Sequence, residues 1–502
     1  MLFCVAGVPV LVLTLVHVFF GVPLSAYRPV VNDEVAYWHQ ALTFSQVGFR
    51  GGYYTVDELT NRSGITPFGP HGPGFAVVYG LFGAVFGWPR HSVVVLNLIA
   101  IGSAMGVWVF LTRLNVPRLL LAAVTLLTFW HTVFWVPTGM QESLHHAGAI
   151  VLAACFASVL GPSPRRVIVV LGWIVLGLLA FIRPSWILLM PLWAIATTRT
   201  ARWQVIVAAI GGSLLYAALV LFAYNSTTAP YGTGFFFLRA VSLSLPVQAL
   251  ISNVQSNLQR IARTDQYHPI ELLQRYQYVA FLLATSVATA WALRRRQATS
   301  LTPHFPLVAA ALAAAIAAML LMYEFASFAE HRVLSAFLLF GALLCLAAPG
   351  RIGPLLVAGL VLSNAVNVNM ALIEFEAVWR DRFLWAGADL TEMKQAIDGK
   401  ILYREASSRW CNTLLTSQYP PSLIAVPAGI GLSVVQKPEL LRIPPRSHYM
   451  LLDDDLRAAF PVPPDLEAIA TLPYGTLYVN RGAGCDGAAA RVPNLSEQAR
   501  VQ

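Results

Sequence analysis

The chain has 502 residues, of which 57% are hydrophobic and 11% charged, with a mean hydropathy of +0.64 and a formal charge of +9. A soluble domain carries about 25% charged residues, so this composition excludes a water-soluble protein for most of the length. In so apolar a chain the positive excess reads first as orientation, through basic loops kept in the cytoplasm, and is no evidence for nucleic-acid binding.

Apolar runs of about 20 residues recur from Leu2 to Ile373, each long enough to cross a hydrocarbon core. Leu2 to Pro23 lacks a basic leading segment and so reads as the first membrane span rather than a cleaved signal. Short arginine loops at Arg113 to Arg118, Arg165-Arg166, Arg199 to Arg202, Arg294-Arg295-Arg296 and Arg351 are assigned to the cytoplasmic side. Val167 to Thr198 must then make two short passes that turn outside at Arg183-Pro184, where proline breaks the helix. Phe75 to Trp88 is too short to span and would invert the next basic loop if it did. It is predicted to lie flat in the interface, with Phe75, Tyr79, Phe82, Phe86 and Trp88 at headgroup level.

The expected fold is a polytopic α-helical membrane protein with about eleven spans. They fall at 2–22, 91–112, 119–136, 143–160, 167–182, 185–198, 203–223, 276–293, 305–323, 332–348 and 353–373. Long outer loops cover 23–90 and 224–275, and residues 1–373 form the membrane domain. Every acid before Glu374 falls on the outer side: Asp33, Glu34, Asp57, Glu58, Glu142, Asp265, Glu271, Glu324 and Glu330. Acids do not drive topology, so their gathering points to a shared purpose there. Several arginines, including Arg28, Arg50, Arg62 and Arg90, fall on the same side.

Just after the first span comes Asn32-Asp33-Glu34-Val35-Ala36-Tyr37-Trp38. Acids here suit the start of a helix, through its cap and dipole. Alternatively one carboxylate takes a proton from a substrate hydroxyl at the membrane surface. Two adjacent acids point to different helix faces, so only one would be the base, and Asp33 is chosen. Glu142, in a very short outer turn, is either solvated, a helix cap, or bound to a substrate hydroxyl, a cation or an arginine. His145 and His146 follow it and read as polar core residues. Among the outer basic residues, Arg183, Arg260, Arg263, His331 and Arg332 either reach for headgroups or converge on a phosphate. A carboxylate base beside phosphate-binding arginines fits sugar transfer from a lipid phosphate, with inversion by direct attack.

At these residues the chain resembles the GT-C superfamily of polyprenyl-phosphate-sugar glycosyltransferases, which includes protein O-mannosyltransferases and lipid A aminoarabinose transferases. The resemblance covers about residues 1–350 and lies in order and topology more than in identical strings. Asp33-Glu34 resembles the acid pair after the first span, and His71-Gly72-Pro73-Gly74 resembles a His/Lys-Pro-Pro-like element before an interfacial helix. Glu142 matches an acid in the second outer loop, and Arg183-Pro184 a basic-Pro turn. It implies that Asp33 is the catalytic base and that loop 224–275 helps enclose a polyprenyl-phosphate-sugar donor. Glu34, Glu142, His71 and Tyr37 are then candidates for binding substrate, acceptor or a cation. The acceptor would be a lipid, glycan or protein of the cell envelope. Glycines at 72 and 74, where the family has prolines, leave the acceptor side open, and a divalent cation is used by some members only.

Residues 374–502 read as an extracytoplasmic α/β domain, with a disordered end after 491. Strands are expected at Ile401-Leu402-Tyr403, Leu423 to Val426, His448 to Leu452 and Thr476 to Val479. Cys4, Cys155 and Cys345 lie in apolar runs and read as inert. Cys411 and Cys485 form a disulfide if the tail lies outside the cytoplasm. Asp453-Asp454-Asp455 reads as a solvated turn. A transporter would place ionisable groups near the bilayer midplane, and these spans are nearly free of charge. An O-antigen ligase or polymerase is the other alternative, and it need not carry an acid pair after its first span.

Overall fold

The computed structural model describes residues 2–30, 32–51, 54–56, 58, 65–69, 72–161, 165–198, 202–227, 246–262, 269–294, 303–322, 329–385, 388–404, 408–417, 421–435, 445–459, 465–472, 475–485 and 490–491. Helix occurs in each of the eleven expected spans, but 119–136 is broken at Phe129 and 185–198 opens on a 3-10 turn. Among the described residues, six helical stretches are long and apolar enough to cross a membrane: Phe3–Phe20 of α1 (Leu2–Phe20), Ser92–Thr112, Glu142–Leu160, Trp203–Tyr224, Arg275–Arg294 and His304–Leu321. In chain order the elements are α2 (Asn32–Val47), α3 (Pro73–Phe86), α4 (Ser92–Thr112), α5 (Val116–Thr128), α6 (Trp130–Trp135), α7 (Glu142–Leu160) and α8 (Arg166–Ile182). They continue with α9 (Leu189–Thr198), α10 (Trp203–Thr227), α11 (Pro246–Ala262), α12 (Pro269–Arg294), α13 (His304–Met322), α14 (Ala329–Ala347), α15 (Ile352–Val366), α16 (Val368–Leu384) and α17 (Ala388–Ile397).

Packing ranks these helices. In α7, 72% of the apolar window is buried, against 11% in α10, so α7 is central and α10 peripheral. Small residues let α7 pack against α4, α8 and α14: a Cβ on Gly148 would stand 2.5 Å from the Leu179 side chain on α8. At the C-terminal end of α14, Arg118 Nη1 donates to the carbonyls of Leu346 and Ala348, capping that helix. The expected single span 353–373 is instead two helices bent by 59°. Asn367 sits at the break, its side-chain amide donating to the Ser363 carbonyl at 2.7 Å, and α16 runs past residue 373 to Leu384. Ser363, Asn364 and Asn367 supply side-chain partners that compete with the helix ladder.

Helix α3 has 14 residues, as expected, but ends at Phe86, before Trp88, and the aromatics of this segment divide. Phe75, Tyr79 and Trp88 are buried, whereas Phe86 is 71% exposed beside Val85, Leu81 and Val78. The buried ones pack on α2, with Phe75 4.9 Å from Tyr37 and the Trp88 indole donating to the Trp38 carbonyl at 3.0 Å. The outward face of α3 is therefore mainly aliphatic. Asn97 of α4 holds the turn before α7 by donating to the carbonyls of Val136 and Thr138 and accepts from the Tyr79 hydroxyl.

The tail carries a mixed sheet in the order β1-β4-β3-β5-β7-β6. Its strands are β3 (Thr413–Thr416), β4 (Gly431–Val434), β5 (Tyr449–Leu452), β6 (Leu466–Leu472) and β7 (Gly475–Asn480), while β2 (Tyr403–Arg404) pairs separately with β8 (Ala490–Arg491). The edge strand β1 (Thr55–Val56) comes from the segment between α2 and α3 and pairs parallel with β4. Leu423 to Val426 is not a strand: Pro421 opens a 3-10 turn through Ala425, because a four-residue apolar run between prolines has no ladder to join. Cys411 and Cys485 are disulfide-bonded. Asp453 caps the short helix α18 (Asp454–Ala459), accepting from the Leu456 N–H at 2.8 Å. The end after 491 lies outside the described residues.

Candidate functional site

Four side chains from four separate elements meet at one end of the bundle. Asp33 lies in the first turn of α2, Glu142 opens α7, Arg183 ends α8, and Arg332 is in the first turn of α14. Arg183 is extended (φ −142, ψ 112), as a residue before proline must be, and Pro184 starts the next turn. This break turns the guanidinium back across the ends of α7 and α14.

Glu142 is the centre of the group. One of its oxygens, Oε1, accepts from Arg332 Nε at 2.7 Å and from Arg183 Nη2 at 2.9 Å, and the carboxylate has no solvent exposure. Arg183 Nη1 also donates to the Arg332 carbonyl at 2.7 Å, so the two arginines are held in fixed relation. Contacts of 2.7–2.9 Å are those of strong charge-assisted hydrogen bonds. Arg332 Nη1 reaches Asp33 Oδ2 at 3.3 Å, which is longer and weaker, and Asp33 remains 30% exposed. Two carboxylates and two guanidiniums sum to no net charge here, with Asp33 at the accessible edge.

Tyr37 lies one turn after Asp33 on the same side of α2 and is buried against Phe75. Burial, and after it the Asp33 charge, push its phenol well above the usual range, so Tyr37 offers a neutral hydroxyl. Glu34 faces elsewhere. It accepts from Arg382 Nε of α16 at 3.0 Å through both oxygens, and from the Gly139 N–H at 2.9 Å. Both partners of this ion pair are buried, which fastens α2 to α16 and to the outer turn.

His145 and His146 are interior residues. His145 Nδ1 accepts from the Trp186 indole at 3.0 Å, and His146 bridges the hydroxyls of Thr132 and Ser335. His71 and Arg263 lie outside the described residues, and Arg260 and His331 are described only as members of α11 and α14. Gly72 caps α3 at φ 89, a conformation proline cannot adopt, and a Cβ there would collide with the Tyr224 ring. That backbone explains why glycine stands where a Pro-Pro element would not fit. Among the described residues, no three His, Cys, Asp or Glu side chains gather as a metal-ligand set.

Sequence reasoning missed what holds α2 in place. The segment that follows it and the tail both clamp it: His39 contacts the Tyr54 hydroxyl at 3.4 Å, and Thr43 Oγ1 accepts from the Gly429 N–H of the tail at 3.3 Å. Burial, opposed by bonding to the carbonyls of Val426 and Pro427, pulls the His39 imidazole down to about 4. Glu58 accepts from the N–H groups of Arg446 and Ser447 at 2.7 and 2.9 Å, and its carboxyl is raised by burial. Arg409 donates to the Ile65 carbonyl at 3.0 Å. Lone polar residues in a loop carry no sign of such distant partners.

The sequence matches no protein-family model and no curated protein. The structure is similar to the crystal structure of ArnT from Cupriavidus metallidurans bound to undecaprenyl phosphate, with a TM-score of 0.52 at 12% identity. The likeness covers 95% of this chain and 97% of that one, so it takes in the tail as well as the helices. With so few identical residues, it is a likeness of fold. The chain is a polytopic helical membrane protein with the GT-C fold.

Proposed function

We propose that this protein is an inverting glycosyltransferase that moves a sugar from a polyprenyl-phosphate donor to a hydroxyl acceptor of the cell envelope, on the extracytoplasmic side. The observation that carries this reading is the Asp33–Arg332–Glu142–Arg183 group, which puts an accessible carboxylate beside two anchored guanidiniums. The GT-C fold, and a solved relative in fold that holds undecaprenyl phosphate, support the donor class. Acids and the disulfide-bonded tail lie at this end, whereas Arg118 lies at the other; this supports an extracytoplasmic site.

In this reading Arg183 and Arg332, fixed by Glu142, bind the donor phosphate. Asp33 takes the proton of the acceptor hydroxyl. The acceptor oxygen bonds to the anomeric carbon as its bond to the phosphate oxygen breaks, and that electron pair leaves on the phosphate. Negative charge thus moves from Asp33 to the leaving phosphate, both within reach of Arg332. A phosphate leaving group needs this electrostatic support rather than a second acid. The long Arg332–Asp33 contact suits a base that must exchange its partner when the phosphate enters.

The test is sugar transfer by purified protein from a panel of radiolabelled polyprenyl-phosphate sugars, comparing wild type with Asp33→Ala. Transfer by wild type and its loss in a folded variant is the expected result. Wild-type activity in Asp33→Ala would remove the base and favour a ligase or polymerase chemistry. Absence of transfer from every donor would sink the donor class.

A further inference from the structure

Arg28 and Arg90 are cations of the same face that the proposed donor site does not use. α1 ends at Phe20 and α4 begins at Ser92, and the two helices pack together. Arg28 and Arg90 therefore come to one end of one helix pair. Both are half-buried, and no carboxylate pairs with either among the described residues. The Arg28 guanidinium lies over the Trp385 ring, 5.2 Å from its centroid, while its main-chain N–H donates to the Arg382 carbonyl at 2.9 Å. Its Nη1 is buried with no acceptor.

That is an expensive arrangement. A charged N–H taken out of water without an acceptor is strongly unfavourable, and nearby like charge adds to the cost. Burial, and after it the Arg90 charge, pull the Arg28 guanidinium below its ordinary range. Lys394 of α17 is lowered by burial, then by Arg90 and Arg28, so a third cation belongs to the neighbourhood. An anion would relieve the repulsion and satisfy the orphaned donor together. The position at the mouths of two apolar helices, beside the partly exposed Trp385, suits the level of lipid headgroups.

We propose that Arg28 and Arg90, with Trp385 beneath Arg28, form a binding site for the phosphate of an anionic lipid headgroup, separate from the donor site. Arginine forks suit phosphate, and net negative charge on the lipid is what the crowded cations select. The two sites hang on different acids of α2. Arg28 is tied through Arg382 to Glu34, whereas Arg332 meets Asp33.

The experiment is native mass spectrometry of the full-length protein in detergent, titrated with phosphatidylglycerol, with zwitterionic phosphatidylcholine and with inorganic phosphate. Wild type is expected to prefer phosphatidylglycerol, and Arg28→Gln/Arg90→Gln to bind it about tenfold more weakly. Arg380→Gln, an exposed arginine paired with Glu376, should bind it as wild type does. Should the glutamine pair fail to fold, Arg28→Lys/Arg90→Lys keeps the charge and loses the fork, and an intermediate affinity is expected. Unchanged phosphatidylglycerol binding in either double variant, or equal binding of phosphatidylcholine by wild type, would overturn the proposal. Inorganic phosphate binding as tightly as the lipid, and lost in the variant, would assign the site to free phosphate and overturn the lipid.

Discussion

Asp33 and Glu34 are adjacent residues of nearly the same chemistry, and the fold puts them to opposite uses. Glu34 is sealed in, with Arg382 and the Gly139 N–H on its oxygens. Asp33 is 30% exposed and meets Arg332 at 3.3 Å. Successive helical positions diverge by about 100°, so one turn of α2 presents one acid to the interior and the other to the open edge. A carboxylate whose lone pairs are all engaged acts as a fastening. One with a long ionic contact and access to solvent is available to take a proton.

The strongest way to break this contrast is Asp33→Asn, which keeps the shape and removes the base. Transfer is expected to fall by about 10²–10⁴-fold with little change in thermal unfolding. A variant that transfers normally would end the distinction. Glu34→Gln should do the reverse. It leaves Arg382 buried without its anion, a loss of about 3–5 kcal/mol in stability. Thermal unfolding in detergent reads that loss, and an unfolding temperature equal to wild type would show that Glu34 is no fastening.

Replacing both Cys411 and Cys485 by serine tests the clamp that the tail places on α2. The tail is expected to lose about 2–4 kcal/mol of stability, seen as proteolysis there before the helices. Unaltered resistance would detach the disulfide from the clamp. A last test is the effect of pH on His39. Its folded-state value of about 4 lies below the ordinary 6.5, so the unfolded chain takes up the proton first. Stability should be flat above pH 6.5, fall by about 1.4 kcal/mol per pH unit down to about 4, and level off below. His39→Gln should flatten that slope, and a slope that persists would assign it to another group.

The candidate site was legible because charge is scarce in this chain. Against nearly uncharged spans, Asp33, Glu142, Arg183 and Arg332 each stood out at a predicted helix end, and the fold brings all four together. What each does within the group was less legible. Glu142 was open to several readings and proves to hold two guanidiniums, while Tyr37 is packed beneath the group rather than set at its edge. Arg382 gave no signal at all, because it lies 348 residues from Glu34 in a segment that reads as the start of a soluble domain.

The sequence by itself determined the membrane class, most places of the helices, the break at Arg183-Pro184 and the short apolar helix before Trp88. Each of these follows from local hydrophobic length or from a single breaker residue. Only the tertiary structure decided that Thr55-Val56 completes the tail's sheet, that the chain bends at Asn367, and that Glu34 closes on Arg382. A two-residue strand has no periodicity to read, and an ion pair has no sequence spacing. Both come from which surfaces remain to be satisfied once the helices have packed, and that is a property of the whole chain.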